Sequence, residues 1–336
     1  VVRALELASL ALALGAVLTL AVLIARRTFL ARGERRRREA EKSLRPLAIA
    51  IVEGEPVELT VGDAEASILA EIMARYSRAL QGDSRVRIAT FFEQQGQVGR
   101  ELDRLSNRRG WKRAAAAFAL GDMGSQRAVP ALVAALDDRD REVRTAAARS
   151  LGRLDAVEAA PRLVEALASG AVPRAVAGQA LIAIGPAAAP ELHPLLGSEE
   201  EPVRRAAAEV LGLIGSGAEA PLLADAARDP AAEVRGAALR ALGKVGGKAE
   251  SGVVREALRD RIPFVRTAAA YAAAGLGDRA AVPILVEQAR DDLYDPALAA
   301  SRALVALDPR DLIESAERNQ AGPFLRQAAT RAMLAS

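Results

Sequence analysis

The chain has no cysteine, one histidine, one tryptophan and only 3% aromatic residues in 336 positions. Without thiols there can be no disulfide, thiolate metal site or cysteine nucleophile, and this usage fits a reducing compartment. Few aromatics leave little on which single-stranded bases could stack. Lysine supplies only four of the 46 basic residues; genomic base composition explains that better than a need for bidentate arginine chemistry. Catalytic signatures are missing too. His193 stands alone in APELHPLLG, with no nucleophile or second ligand recognisable nearby. LGKVGGKAE is not a phosphate loop, because Leu242 and Ala249 occupy the places of its first Gly and its Ser or Thr. Gly215–Gly217 lacks the strand a dinucleotide fingerprint needs, and Glu199, Glu200 and Glu201 read as a solvated loop. No enzyme activity, cofactor or metal is expected.

Charge is unevenly placed. Arg26 to Arg45 (RRTFLARGERRRREAEKSLR) holds nine Arg or Lys against three Glu, a net +6 in a chain of only +3. Just before it, Leu7 to Ala25 runs nineteen residues without a charge. As a helix that run would span about 28 Å, enough for the hydrocarbon core of a bilayer. A cleaved signal would carry its positive charge before the apolar core, whereas here only Arg3 precedes it and Glu6 cancels that. A buried core helix would be a poor neighbour for nine cations. The reading is a transmembrane anchor, residues 1–25, followed by a basic juxtamembrane segment, residues 26–45. Arg26, Arg27, Arg35, Arg36, Arg37 and Arg38 would sit at the membrane edge, at about 1 kcal/mol each on an anionic leaflet. Positive residues stay inside, so a single-pass protein in the plasma (inner) membrane is expected, its amino terminus outside and its body cytoplasmic. Ala11, Gly15 and Thr19 form a small-residue row that would admit a neighbouring helix. Residues 46–336 are left at about −3, without the broad basic surface of a nucleic-acid binder.

What fills the body is repetition. VRTAAARSLGRL from Val143, VRRAAAEVLGLI from Val203, VRGAALRALGKV from Val234 and VRTAAAYAAAGL from Val265 are the clearest copies, with looser ones from Lys112, Pro173, Pro296 and Leu325. Their ninth residues, Leu120, Leu151, Leu181, Leu211, Leu242, Ala273, Leu304 and Met333, advance by 29 to 31 positions. Each copy spells an amphipathic helix, as in Val203, Ala207, Val210, Leu211 and Ile214. Gly121, Gly152, Gly212 and Gly243 follow at predicted helix ends, where left-handed dihedrals are wanted. Pro130, Pro161, Pro190, Pro221 and Pro283 then open a second helix. One hairpin cannot bury both stripes, so about eight must stack into an all-α solenoid over residues 107–336. Residues 46–106 read as a helical cap on its first apolar face, with Asp63 capping a helix and breaks at Gly33, Gly54 and Gly62.

Two columns read as structural ladders. Arg113, Arg144, Arg174, Arg204, Arg235, Arg266 and Arg326 occupy the second motif position, while Asp138, Asp229, Asp260 and Asp291 stand five residues before the motif. Asp there can cap the following helix, and Arg can reach the carboxylate or carbonyls of an adjacent unit.

This unit length, the V-R-x-A-A-A-x-x-L-G-x-[LI]-G core and the proline-led second helix resemble the short bacterial HEAT repeats, the type also found in phycobilin lyases. The resemblance implies a right-handed α-solenoid whose second helices line a concave surface that holds another protein. With the anchor, it points to a membrane-tethered, non-enzymatic scaffold, for instance an accessory subunit of a membrane glycosyltransferase. A phycobilin lyase-like enzyme or chaperone is the alternative, and a nucleic-acid-binding HEAT-like protein a further one. Departures from the repeat mark candidate contacts. Ile262 and Phe264 are apolar in a loop that is polar or small elsewhere, and Tyr271 fills a column otherwise held by Arg149, Gln179, Glu209, Arg240 and Arg302. They fit either partner anchors or local packing between repeats, and His193 with Pro194 either a groove contact or a local distortion.

Overall fold

The structure, a computed structural model, describes residues 37–57, 61–290 and 293–307 without interruption, and isolated positions towards both ends. The proposed anchor, Arg36, Asp291 and the eighth motif copy lie outside the described residues, apart from scattered positions. Every regular element among the described residues is helical, and the chain divides into two compact units. The first runs to Arg100 and includes Asp122–Ser125; the second holds Glu101–Gly121 and everything from Gln126. Among the described residues no single helix is long and apolar enough to cross a membrane. Arg174–Ile184 and Pro186–Gly197 pass that test only when joined, and they are bent by 118° as one of the hairpins described below.

In the first unit, α1 (residues 37–53), α2 (Asp63–Ala79) and α3 (Asp83–Gln94) bury Leu44, Ala48, Leu69, Ile72, Met73, Ile88 and Phe92. Phe91 meets Phe92 edge to face at 5.4 Å between ring centres. α1 is continuous across position 45, so Arg37 and Arg38 share a helix with Leu44 and Ala48. It ends at Gly54, whose φ of 84° suits glycine alone. Asp63 is not the cap of α2: Gly62 takes that place, and its N–H donates to the Glu65 carboxylate at 3.3 Å. α4 (Gln97–Arg104) spans the point where this unit ends.

The second unit repeats one hairpin. Its motif helices are α5 (Gly110–Met123), α7 (Arg141–Arg153), α9 (Arg174–Ile184), α11 (Glu201–Ile214), α13 (Ala232–Val245), α15 (Pro263–Gly275) and α17 (Tyr294–Leu307). Between them lie α6 (Val129–Ala134), α8 (Ala160–Ser169), α10 (Ala189–Leu192), α12 (Ala220–Ala226), α14 (Ser251–Ala257) and α16 (Val282–Gln288). Leu120, Leu151, Leu181, Leu211, Leu242, Ala273 and Leu304 are all fully buried, so the motif's ninth position forms one continuous apolar spine. A 3₁₀ turn, such as Gln126–Ala128 or Gly217–Glu219, precedes each second helix. Proline stands second in five of these six helices, all but α14, where the amide it lacks has no intrahelical acceptor.

The motif glycines have a different role from the one their spacing suggests. Gly121, Gly152, Gly212 and Gly243 lie inside the helices, and none has a positive φ. A Cβ on Gly152 would fall 2.7 Å from the Ala180 Cα, one on Gly212 2.7 Å from the Ala241 Cα, and one on Gly243 2.9 Å from the Ala272 Cα. These are the places where one motif helix lies backbone to backbone on the next, and a methyl group there has nowhere to go. Gly124 and Gly185, three residues or so further on, are the left-handed ones, at φ 75° and 83°.

Candidate functional site

The Arg and Asp columns bond across neighbouring hairpins. Arg113, Arg204 and Arg235 each present Nε and Nη2 to both oxygens of the Asp 25 positions later: Asp138 at 2.7 and 2.7 Å, Asp229 at 2.7 and 2.9 Å, Asp260 at 2.8 and 3.0 Å. Each of these arginines also donates Nη1 to a carbonyl six positions back, on Asn107, Ser198 and Asp229. The Asp in turn accepts from the N–H two residues on, at Asp140, Ala231 and Ile262, all at 2.8 Å. It therefore closes an Asx turn ahead of the helix, and the N-cap position itself falls on Asp140, Ala231 or Ile262. Where the column lacks Asp, arginine finds other acceptors. Arg144 donates to the carbonyls of Ala171 and Asp138, and Arg174 to Glu200 at 2.9 Å. Arg266, whose column partner Asp291 lies outside the described residues, donates like the paired arginines to the carbonyl six positions back, on Asp260 at 3.0 Å.

The electrostatics follow this geometry. The Arg113 guanidinium, aided by the Asp140 amide, holds Asp138 below the usual carboxylate range despite its burial. For Asp229 and Asp260 burial is the largest influence and pushes upward, but Arg204 or Arg235 and the turn amide together outweigh it and both end low. Asp229 reciprocally raises Arg204.

A mostly apolar groove lies on the row of motif helices. Glu209, Gly212 and Leu213 of α11, Ala237, Arg240, Ala241, Gly243 and Lys244 of α13, and Tyr271 and Ala272 of α15 line an open groove of about 520 Å³. Its floor is Gly and Ala because helices approach closely there; its lips are the seventh and eleventh motif positions, one turn apart on a single face. Leu213 is 56% exposed and Tyr271 44%. Arg302 of α17 donates to the Tyr271 hydroxyl at 3.2 Å, fixing the ring at the lip. A smaller groove continues the same columns at Arg149, Arg153, Gln179 and Ala183. The resemblance puts the binding surface on the second helices; this groove lies on the motif helices, while more polar depressions open beside α14 and α16.

Phe264 is two turns before Tyr271 on α15 and 39% exposed, and its ring covers Gly236, whose Cβ would be 3.0 Å from Cε2. It packs locally and contributes to the exposed face as well. Ile262 is half-buried at the cap of α15. His193 is apart from the groove, in the 3₁₀ turn after α10, with its Nε2 3.5 Å from Glu219 Oε1. That nitrogen is buried without a hydrogen bond. Burial raises Glu219, yet the Ser216 amide and hydroxyl, at 2.6 and 3.0 Å, and His193 bring it below the usual range. Among the described residues no group of three or more His, Asp or Glu could hold a metal. At the proposed membrane edge, Arg26, Arg27 and Arg35 are exposed, Arg37 pairs with Glu71, and Arg38 lies 3.8 Å from Glu34.

Sequence reasoning missed Leu213 and Phe118. Phe118 shares Tyr271's column and is also exposed, with Arg153 stacked on its ring at 4.4 Å. Carrying the alignment back to the Lys112 copy would have found it, and reading the eleventh column would have found Leu213.

The HEAT-repeat family matches residues 102–182, 171–243 and 220–306, more than half of the chain. The chain belongs to that family. No curated protein matches this HEAT-repeat chain. Among solved structures it is similar to Kap95p bound to RanGDP, at 14% identity and a TM-score of 0.50, covering 85% of this chain and 46% of Kap95p. The Escherichia coli protein YibA matches at 17% identity and a TM-score of 0.46, covering 83% and 99% of the two chains. The CpcE–CpcF complex of a Nostoc phycocyanin lyase matches at 22% identity and a TM-score of 0.30, covering 77% and 94%. The family match and the likeness to Kap95p establish the fold, an all-helical HEAT-repeat array.

Proposed function

We propose that this HEAT-repeat protein is a non-enzymatic scaffold that holds another protein against its motif-helix row, tethered to the plasma membrane by residues 7–25. The observation that carries the reading is the groove between Leu213 and Tyr271, where exposed apolar side chains sit among cations over a floor of Gly and Ala. HEAT repeats generally mediate protein–protein interaction, and Kap95p is seen with RanGDP bound. Side chains of this kind recognise shape and charge. Supporting the tether are the nineteen uncharged residues and the +6 block that follows them; the same asymmetry would keep the repeats cytoplasmic. Tethering beside a membrane enzyme raises the effective concentration of whatever the groove holds, so modest affinity suffices.

Two measurements test this. Removing residues 1–45 should move the protein from the membrane pellet to the soluble fraction, and persistence in the pellet would refute the tether. Partners retained from detergent extracts should be lost when residues 107–336 are removed; their undiminished recovery would refute the scaffold.

A further inference from the structure

The two helix rows of the second unit carry charge differently. On the second helices acids and arginines neutralise one another: Arg162 pairs with Asp137 and Glu165 at 2.5 Å each, Arg228 with Glu256 at 3.3 Å, Arg255 with Asp278 at 2.9 Å. On the motif helices the seventh and eleventh positions leave cations over. Lys244 and Arg149 are exposed, with no carboxylate partner among the described residues. Arg240 meets the sole acid of the groove, Glu209, only at 3.8 Å, and the hydroxyl of Tyr271 is Arg302's partner. The lips of the groove carry Arg240 and Lys244 against Glu209, and with Arg302 beside the Tyr271 lip the net is about +2 within a body near −3. Leu213 and Tyr271 supply apolar contact at its two ends.

We propose that this groove binds an acidic, extended polypeptide segment of a partner protein, its carboxylates on Arg240, Lys244 and Arg302 and an aliphatic side chain between Leu213 and Tyr271. The inference rests on the scaffold reading above and gives its partner a chemistry. Dimensions support an extended chain: α11 and α15 are two repeats apart, roughly 16–20 Å at the usual helix spacing. An extended peptide covers that in about six residues at roughly 3.3 Å each. One repeat thus corresponds to three peptide residues, and acidic positions recurring every third residue would meet the cations of successive motif helices. A polynucleotide fits less well, since Glu209 lies inside the groove and aromatic rings do not recur at successive repeats.

The experiment uses the full chain in detergent and a fluorescein-labelled peptide of four Glu-Glu-Leu units, read by fluorescence anisotropy. Four Lys-Lys-Leu units and a twelve-nucleotide oligo-dT serve as controls. Binding of the acidic peptide alone is expected, weakening with added salt. The R240E/K244E variant should bind at least tenfold more weakly and Tyr271→Ala about fivefold. All three substituted side chains are exposed or on the groove lip, and unchanged thermal unfolding will confirm that the variants fold. Peptide binding unaffected by these variants, no peptide binding at all, or tighter binding of oligo-dT would overturn the proposal. Self-association abolished by R240E/K244E would also overturn it, by making a second copy the occupant. If the variants keep every partner that depends on residues 107–336, the acidic-segment proposal fails while the scaffold reading stands.

Discussion

A buried arginine and aspartate facing each other across two hairpins show how much one residue per repeat can decide. Arg204 and Asp229 are both nearly enclosed, and between them they satisfy two carboxylate oxygens, two loop carbonyls and one turn amide. Asp229→Asn keeps the turn acceptor but loses the charge, and should cost about 1.5–3 kcal/mol in urea denaturation at neutral pH. Its pH dependence has a definite sign. Asp138, Asp229 and Asp260 are held below their unfolded value, about 3.9, so near that pH the unfolded chain binds more protons than the folded one. Their contribution is complete above about pH 5 and is lost as the pH falls through the lower folded values. The difference between wild type and Asp229→Asn should therefore shrink as denaturation is repeated from pH 6 down to pH 2. A difference that stays constant would mean that only the turn, and not the charge, matters.

Between elements, the limiting contact is that of one motif helix on the next. Gly212→Ala places a methyl group 2.6 Å from the Ala241 Cβ and 2.7 Å from its Cα, and neither can rotate away. A loss of about 1–3 kcal/mol is expected, the usual cost of overpacking. Gly252→Ala, within α14 and with nothing inside 4 Å, should instead gain about 0.5–1 kcal/mol from helix propensity alone. Thermal unfolding of the two variants side by side separates close approach from conformational freedom; equal shifts would contradict the packing described here. The third copy breaks the column with Ile182, and there Gly178 faces Val210 instead, with 3.2 Å between its would-be Cβ and Cγ2.

For the whole second unit, stability should be a sum over neighbours rather than the property of one core. Truncation after Asp260 strips α15 from α13 and exposes Leu242 and its alanine neighbours, so the shortened protein should melt lower and self-associate in sedimentation velocity. A shortened protein that stays monomeric with an unchanged Tm would show that the hairpins do not depend on one another. The spacing of Leu120 to Leu304 made the repeat, the buried spine and the Arg–Asp columns legible, because each is a local pattern returning every 30 residues or so. Phe264 and Tyr271 were visible as departures from that pattern. What the pattern could not supply was which helix row would carry the apolar groove, since both rows are amphipathic and the outcome depends on which row packs closely enough to leave a floor of Gly and Ala. Nor could it tell a glycine needed for a turn from one needed for contact: Gly212 and Gly185 look alike in one dimension, and only the neighbouring backbone, present in one case and absent in the other, gives them different jobs.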